Sequence, residues 1–177
     1  RVAGLDDPGA VEQWWKMGGA KSMQEFESTV RALHVPFFNV IAASGDGHTY
    51  YFFGGKTPRR PRGDFGTWNA PMRGDSSALV WKDYLRYDEL PHVMDPPSGW
   101  LQNANDPPWT VTWPLVFSPD SFPAYVAPRM MPFRPQRSAR LLPTSRLRCH
   151  GFLGRSTSTG SKHMQCTTTG TPRPAAG

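Results

Sequence analysis

The strongest structural signal in this sequence is Phe37-Phe38-Asn39-Val40-Ile41-Ala42-Ala43-Ser44-Gly45-Asp46-Gly47-His48-Thr49-Tyr50-Tyr51-Phe52-Phe53. Residues 37–42 and 48–53 are rich in β-branched and aromatic side chains, and the Ser-Gly-Asp-Gly segment between them is typical of a tight turn. The stretch therefore predicts a β-hairpin. Nearly every strand position is apolar, so we expect both faces of this sheet to be covered, as in a layered fold.

The residues before the hairpin predict a first helix near the start of the chain. Asp7 can cap this helix, and Pro8 suits its first position because proline lacks the N–H that would remain unpaired there. Val11, Trp14 and Trp15 then recur at helical spacing. We expect these three side chains to begin an apolar face of the helix.

A second helix is predicted directly before the hairpin. Ser22 and Glu25 have the spacing of a capping box, in which each side chain satisfies an unpaired backbone amide. Pro36 ends the segment, because proline disfavours helical geometry in the residue before it. Helices followed by an antiparallel hairpin assign the chain to the α+β class.

An Asn-x-Asn triplet between two diprolines follows a strand end. It lies within Asp95-Pro96-Pro97-Ser98-Gly99-Trp100-Leu101-Gln102-Asn103-Ala104-Asn105-Asp106-Pro107-Pro108-Trp109. Proline fixes φ, so this segment has little conformational freedom, and a rigid carboxamide can donate to an oxygen on which negative charge develops. Asparagines between prolines more commonly stabilise turns. The residues alone leave both interpretations open.

The formal charge of +6 belongs to the C-terminal end of the chain. All 14 acidic residues lie within residues 6–120, whereas the first 120 residues hold 11 of the 20 Lys and Arg. The remaining 57 residues contain nine basic residues and no acid. This distribution gives little support to a nucleic-acid surface, and no apolar run is long enough to cross a bilayer.

The sequence changes character after Leu142. Residues 143–177 contain 11 Ser or Thr, five Lys or Arg, and almost no apolar periodicity. Such a segment buries too little surface to offset its ordering entropy, so we expect a structured domain at 1–142 and a disordered basic tail at 143–177. An out-of-register reading of the gene or an unrelated extension would each explain the change.

The sequence gives weak support to a metal site or a cofactor. Cys149-His150 and His163-x-x-Cys166 together supply a Cys2His2 set, but their spacing is unlike that of zinc sites. A disulfide between Cys149 and Cys166 stays open, because the sequence does not fix the redox compartment. His34, His48 and His92 are isolated along the chain. We expect neither a metal nor a cofactor.

Several stretches in order make the chain similar to the penicillin amidase family of N-terminal-nucleophile hydrolases, in particular to acyl-homoserine-lactone and aculeacin acylases. The segments that carry this resemblance are residues 1–5, Trp14-Trp15, Phe38-Asn39-Val40, Asp46-Gly47, Trp81, residues 88–91, residues 95–109, residues 122–128 and residues 134–140. They cover about residues 1–142. The resemblance implies a four-layer αββα sandwich, of which this chain forms a loop-rich part.

The resemblance also assigns candidate site residues. Asn105 matches the asparagine of the oxyanion hole, and Arg134 matches an arginine that orients the site, with Arg137 as a rival. Phe38 matches a position that lines the acyl pocket. Some relatives bind calcium near the position of Tyr125, but the residues here are apolar, which argues against calcium.

The same resemblance implies an enzyme that removes acyl side chains from linear amides by attack of an N-terminal serine. No part of this sequence matches that serine, the segment after it or the second oxyanion donor. We therefore expect an inactive part of a β-subunit, with the α-subunit and the rest of the β-subunit as partners. The substrate class, whether lactone signal, β-lactam or lipopeptide, stays open.

The resemblance further implies a periplasmic or secreted enzyme. The alternative is a non-enzymatic binding module with a basic tail, in which the resemblance reflects only an inherited scaffold. Its association with polyanions would weaken steeply with salt, because such binding releases counterions.

Overall fold

The computed structural model describes residues 3–144, and of the last two it describes only the backbone. Within this part of the chain, four α-helices and one three-stranded antiparallel sheet confirm the α+β class. In chain order they are α1 (Gly9–Gly19), α2 (Met23–Val30), β1 (Val40–Ala43), β2 (Thr49–Phe52), α3 (Phe65–Asn69), β3 (His92–Met94) and α4 (Phe133–Thr144). Short 3-10 turns occupy Ser77–Leu79, Tyr87–Glu89, Pro108–Thr110 and Pro119–Ser121.

The predicted hairpin is present, with shorter strands than the sequence indicated. Val40 pairs with Phe52 and Ala43 pairs with Thr49, and the Ser44 N–H donates to the His48 carbonyl at 2.9 Å to close the turn. β2 lies in the centre of the sheet, between β1 and β3. β1 is therefore an edge strand within the described residues.

Alternation along β2 separates the sheet into two faces. Tyr50 and Phe52 point into the main core, where Phe26 of α2 packs edge-on against Tyr50 at a ring separation of 5.9 Å. Tyr51 points to the opposite face. The expectation that both faces of both strands are covered was wrong for β1, because Ile41, the partner of Tyr51, is 46% exposed.

The main core lies between α2 and the sheet, and loop residues complete it. Its buried members are Met23, Val30, Tyr50, Phe52, Leu85, Tyr87, Leu90 and Val126. The two tyrosine hydroxyls lie 2.8 Å apart, and the Tyr87 hydroxyl donates to Glu27 at 3.0 Å, so the buried polar atoms of this core are paired.

The predicted start of α2 is confirmed with one difference. The Glu25 N–H donates to Ser22 Oγ at 3.1 Å, as the capping box requires. The Glu25 carboxylate, however, accepts from the Lys21 N–H at 2.7 Å. The helix ends at Val30, well before Pro36, and Leu33 then adopts a positive φ of 53°.

The predicted apolar face of α1 is largely exposed. Trp15 is 84% exposed, and the buried residue of this helix is Gln13, which is 3% exposed. The Gln13 carboxamide donates to the carbonyls of Thr29 and Val30 at 2.9 and 3.2 Å and accepts from the Val35 N–H at 2.7 Å. These bonds fasten α1 to the end of α2 and to the segment that follows it.

The segment between β2 and β3 is fixed by a helix cap, an ion pair and a stacking contact. Asp64 caps α3 by accepting from the Thr67 N–H at 2.8 Å. Arg59 donates to Glu89 at 2.7 Å, and the Arg60 guanidinium stacks 4.3 Å from the Trp68 ring. Arg59 and Arg60 are therefore packed onto the fold by an ion pair and by stacking.

None of the helices within residues 3–144 combines the length and the apolar character that crossing a bilayer requires.

Candidate active site

The candidate site is built on a loop of residues 95–112 that is fastened to the hairpin at its start. The Asp95 N–H donates to the Thr49 carbonyl at 2.9 Å, and the Thr49 N–H donates to Asp95 Oδ1 at 2.7 Å. Asp95 Oδ2 lies 2.6 Å from His48 Nδ1. These three residues, His48, Thr49 and Asp95, form the hairpin–loop junction. His48, isolated along the sequence, is therefore paired in the fold.

The junction shifts the pKa of both its titratable members. The pKa of His48 is raised, mainly because its ring donates a hydrogen bond to Asp95 and secondly because the Asp95 carboxylate is negatively charged. The Thr49 N–H, followed by the His48 hydrogen bond, lowers the pKa of Asp95. Both shifts favour the charged pair.

Beyond the junction the loop closes on itself. The Gln102 N–H donates to the Val111 carbonyl at 2.8 Å, and Thr112 Oγ1 donates to the Trp100 carbonyl at 2.8 Å. The Ser98 and Thr112 hydroxyls are also in hydrogen-bond contact. Residues 98–112 thus form a self-contained unit whose shape is set by bonds between its two arms.

A buried carboxylate lies at the centre of this unit. Asp106 is 4% exposed. Its Oδ1 accepts from the Ala104 N–H at 2.8 Å, and its Oδ2 accepts from Gln102 Nε2 at 2.6 Å and from the Thr110 hydroxyl. Gln102 Nε2 also donates to the Thr110 carbonyl at 2.9 Å. Two acceptors therefore fix which end of the Gln102 carboxamide faces Asp106.

Asn103 and Asn105 have different surroundings in the tip of the loop. The Asn105 N–H donates to Asn103 Oδ1 at 3.1 Å, which is the turn-stabilising bond expected of Asn103. Asn105 itself has φ 59°, in the left-handed region that asparagine tolerates better than most residues. Its side chain is exposed at the loop surface.

The structure brings Arg134 to Asn105 from the start of α4. Arg134 Nη2 donates to Asn105 Oδ1 at 2.8 Å. A guanidinium has donors only, so the contact selects the carbonyl end of the Asn105 carboxamide and leaves Nδ2 to face elsewhere. Within residues 3–144 no hydrogen bond occupies Nδ2. Arg137, the rival at this position, is exposed one turn further along α4.

Phe38 joins another part of the fold. Its ring packs edge-on against Trp14 at 5.8 Å and lies 4.9 Å from the Phe37 ring. It also lines a small space with Gln13 and Met17, beneath α1. The structure therefore joins Asn105 and Arg134 to each other and places Phe38 with the helices.

Tyr51, Gln102 and Asn103 carry buried polar atoms without partners, and we call these three residues the floor. Tyr51 is fully buried, and burial raises the pKa of its hydroxyl well above the usual range, an effect that the nearby Asn103 side chain opposes. The two groups nevertheless form no hydrogen bond of good geometry: Tyr51 Oη, Asn103 Nδ2 and Gln102 Oε1 are buried without partners. Unpaired buried polar atoms are costly and uncommon, so this floor is a weak anchor for the loop tip.

The described residues offer no cation site. No group of three or more His, Cys, Asp or Glu side chains converges within residues 3–144. Near the position where some relatives bind calcium, Val126 is buried in the core and the Tyr125 hydroxyl accepts from the Arg60 N–H at 3.2 Å. The Cys149, His150, His163 and Cys166 set lies outside the described residues, as does most of the predicted disordered tail.

Sequence reasoning missed two residues of this site. The first is Asp106, which directly follows Asn105. Thr110 lies four residues after Asp106, so the sequence offered an acceptor with a local donor. Tyr51 gave no such signal, because its position under the loop depends on the path of a segment 50 residues later.

Two comparisons relate this chain to known proteins. The family model described as Penicillin amidase matches residues 1–169. The chain is 27% identical over 116 residues to the penicillin acylase 2 proenzyme of Pseudomonas sp. (strain SE83), a match that covers 66% of this chain and 15% of that protein. The chain thus spans a small part of that relative. The family match continues past Leu142, into the acid-free segment.

Proposed function

Because the chain belongs to the penicillin amidase family, we propose that it forms part of an acylase-type hydrolase that cleaves linear amide bonds. The observation that carries the proposal is the contact of Arg134 Nη2 with Asn105 Oδ1 at 2.8 Å. It joins two residues that are 29 positions apart and that the family resemblance had separately assigned to the same site.

Asn105 is the oxyanion donor in this proposal. An amide carbonyl attacked by a hydroxyl gains negative charge on its oxygen, and a fixed donor stabilises that charge without reorganising during the reaction. Arg134 holds the acceptor end of the Asn105 carboxamide, which keeps the Nδ2 hydrogens available for the oxyanion. The left-handed backbone of Asn105 and the bond that its N–H donates to Asn103 Oδ1 fix the backbone of the loop tip.

The nucleophile in this proposal is an N-terminal serine that no part of this sequence matches. Its hydroxyl attacks the carbonyl carbon while its own α-amino group takes the hydroxyl proton. The amine then leaves with a proton, and water hydrolyses the resulting acyl ester. The remaining acylase subunits, the four-layer sandwich and a periplasmic or secreted location are parts of the same proposal, supported by family membership.

The test is to graft residues 95–142 of this chain into a complete family acylase and to change Asn105 there. Asn105→Gly removes the carboxamide and keeps a residue that accepts φ 59°. We expect kcat to fall roughly 100-fold or more with KM within about twofold, because the lost bond forms only as charge develops.

Asn103→Ala is the matched control, since it removes a carboxamide two residues away. We expect it to lower the yield of folded protein and to leave kcat within a few-fold. Equal and modest losses of kcat from both substitutions would show that Asn105 is only structural, and would overturn the assignment.

A further inference from the structure

We propose that Asp106 positions Asn105, so that its buried carboxylate sets the direction in which the Asn105 carboxamide donates. The inference rests on the proposed role of Asn105 as oxyanion donor. It concerns a residue to which neither the sequence pattern nor the family resemblance gave any role.

The first argument is the way in which Asp106 is satisfied. A buried carboxylate is costly unless donors surround it, and no ion pair to Asp106 exists within residues 3–144. Its donors are instead the Ala104 N–H, the Gln102 carboxamide and the Thr110 hydroxyl, all from the same loop. A different loop shape would leave the carboxylate buried and unpaired, so Asp106 selects this shape.

The second argument is where these donors lie along the chain. Residues 102 and 104 precede Asn105 and residue 110 follows it, so the carboxylate ties together both arms that lead to Asn105. The Asn103 side chain holds the N–H of Asn105, and the Asp106 side chain holds the N–H of Ala104. These two bonds fix the two peptide groups that precede Asn105, the residue with the left-handed backbone.

The third argument is the weakness of the alternative anchor. Tyr51 Oη and Asn103 Nδ2 face each other beneath the tip without a good hydrogen bond. The floor therefore contributes little to the orientation of the tip. Asp106 is the group in the described part of the loop that collects three donors at once.

The first experiment measures the loop itself, without reference to activity. Hydrogen exchange of the 177-residue chain is followed by mass spectrometry for Asp106→Ala, Asp106→Asn and the control Asp120→Ala. Asp120 is an exposed carboxylate that pairs with Arg129 at 2.8 Å, outside the loop. We expect Asp106→Ala to speed exchange in residues 98–112 at least tenfold, with strands β1 and β2 within twofold of the parent chain.

Asp106→Asn keeps one acceptor for Ala104 but turns an N–H toward Gln102, so we expect a smaller increase in exchange. It also decides the question if Asp106→Ala fails to fold. Asp120→Ala should leave the exchange of residues 98–112 unchanged. Unchanged exchange of this loop in both Asp106 variants, or an equal increase in the control, would overturn the proposal.

The second experiment uses the grafted acylase and a double-mutant cycle. We expect Asp106→Asn to lower kcat about tenfold at nearly constant KM, and to have less than a twofold effect when Asn105→Gly is already present. Independent, multiplying losses would overturn the positioning role. If Asn105→Gly alone leaves kcat unchanged, the proposed function fails, and the exchange experiment still decides whether Asp106 fixes the loop.

Discussion

At the scale of single residues, one contact orients the Asn105 carboxamide. The Arg134 guanidinium meets Asn105 Oδ1 because α4 begins at Phe133 and presents its first turn to the loop tip. Arg is suited to this task, since its donors are planar and permanently charged. A carboxamide has two chemically different ends, and without Arg134 the Asn105 side chain could turn its acceptor toward the substrate.

Substitution of Arg134 in the grafted acylase should therefore reduce turnover more than substitution of Arg137. For Arg134→Ala we expect kcat to fall about fivefold to tenfold, about 1–1.4 kcal/mol, because the lost hydrogen bond involves a charged group at an exposed position. Arg137→Ala should change kcat less than twofold. Steady-state kinetics of both variants checks this, and a larger loss from Arg137→Ala would transfer the orienting role to that residue.

At the scale of elements, local signals predicted local structure. The hairpin and the start of α2 were legible because a tight turn and a capping bond involve residues within a few positions of each other. The exposure of the apolar face of α1 and the burial of Gln13 were not predicted. Gln13 donates to the carbonyls of Thr29 and Val30, and these partners lie 16 and 17 residues later in the chain. The contact of Arg134 with Asn105 has no local signal either, so only family resemblance could suggest it.

The hairpin–loop junction should make the stability of the fold depend on pH. The pKa of His48 is raised, so its contribution is complete below the unfolded value of about 6.5 and is lost as pH rises through the folded pKa. The pKa of Asp95 is lowered, so its contribution is present above about 3.9 and is lost as pH falls through the folded pKa. The junction is therefore strongest between about pH 4 and 6.5.

The measurement is the change in thermal midpoint caused by His48→Gln at pH 5.5 and at pH 8.5. We expect a larger drop at pH 5.5, because His48 is charged there and pairs with Asp95, with a smaller contribution from Asp46 at 4.0 Å. In an Asp95→Asn background the effect of His48→Gln should be nearly the same at both pH values. A larger drop at pH 8.5 would show that the charged pair does not stabilise the junction.

At the scale of the whole molecule, the described residues supply the proposed oxyanion donor, and the proposed nucleophile is not among them. The hydrogen bonds of Asn105 join it to Asn103 and Arg134, and none within residues 3–144 joins it to a hydroxyl or a thiol. In the proposed role, Asn105 stabilises a negative charge that develops only when a nucleophile attacks the amide carbonyl. The family relationship, rather than the geometry, supplies the proposal for the missing group.

We therefore expect the 177-residue chain alone to hydrolyse no amide. The purified chain is incubated with a chromogenic acyl anilide and with a long-chain acyl-homoserine lactone, and product is followed against a buffer blank. Turnover that scales with protein concentration and that Asn105→Gly abolishes would contradict this expectation, because it would place a nucleophile within the chain.

The exposed apolar surface of α1 is a second property of the whole chain. Val11, Trp14 and Trp15 lie at i, i+3 and i+4 on this helix. Phe38 packs against Trp14, and Phe37 lies beside Phe38; together these five residues form the apolar patch. Next to it, a cleft of about 550 Å³ opens between α1 and α2. Exposed apolar surface of this kind promotes association with other apolar groups.

The chain should accordingly bind a hydrophobic fluorescent dye through this patch. We expect Trp15→Lys to reduce dye fluorescence at least threefold with an unchanged circular dichroism spectrum, since Trp15 makes few contacts that support the fold. Met130→Gln removes an equally exposed apolar side chain elsewhere and should leave the signal unchanged. Equal reductions from both substitutions would show that the dye does not report on the patch.

The left-handed backbone of Asn105 has a consequence for which amino acids evolution can place there. At φ 59° a side chain with an ordinary Cβ pays a steric penalty, which glycine escapes and which asparagine and aspartate partly offset. In a randomised library at this position, screening for folded protein alone should enrich glycine, asparagine and aspartate. Screening the grafted acylase for turnover should return asparagine alone, since glycine has no donor and aspartate would repel the developing charge. The spectrum of survivors under the two screens would thus separate the architectural demand at this position from the chemical one.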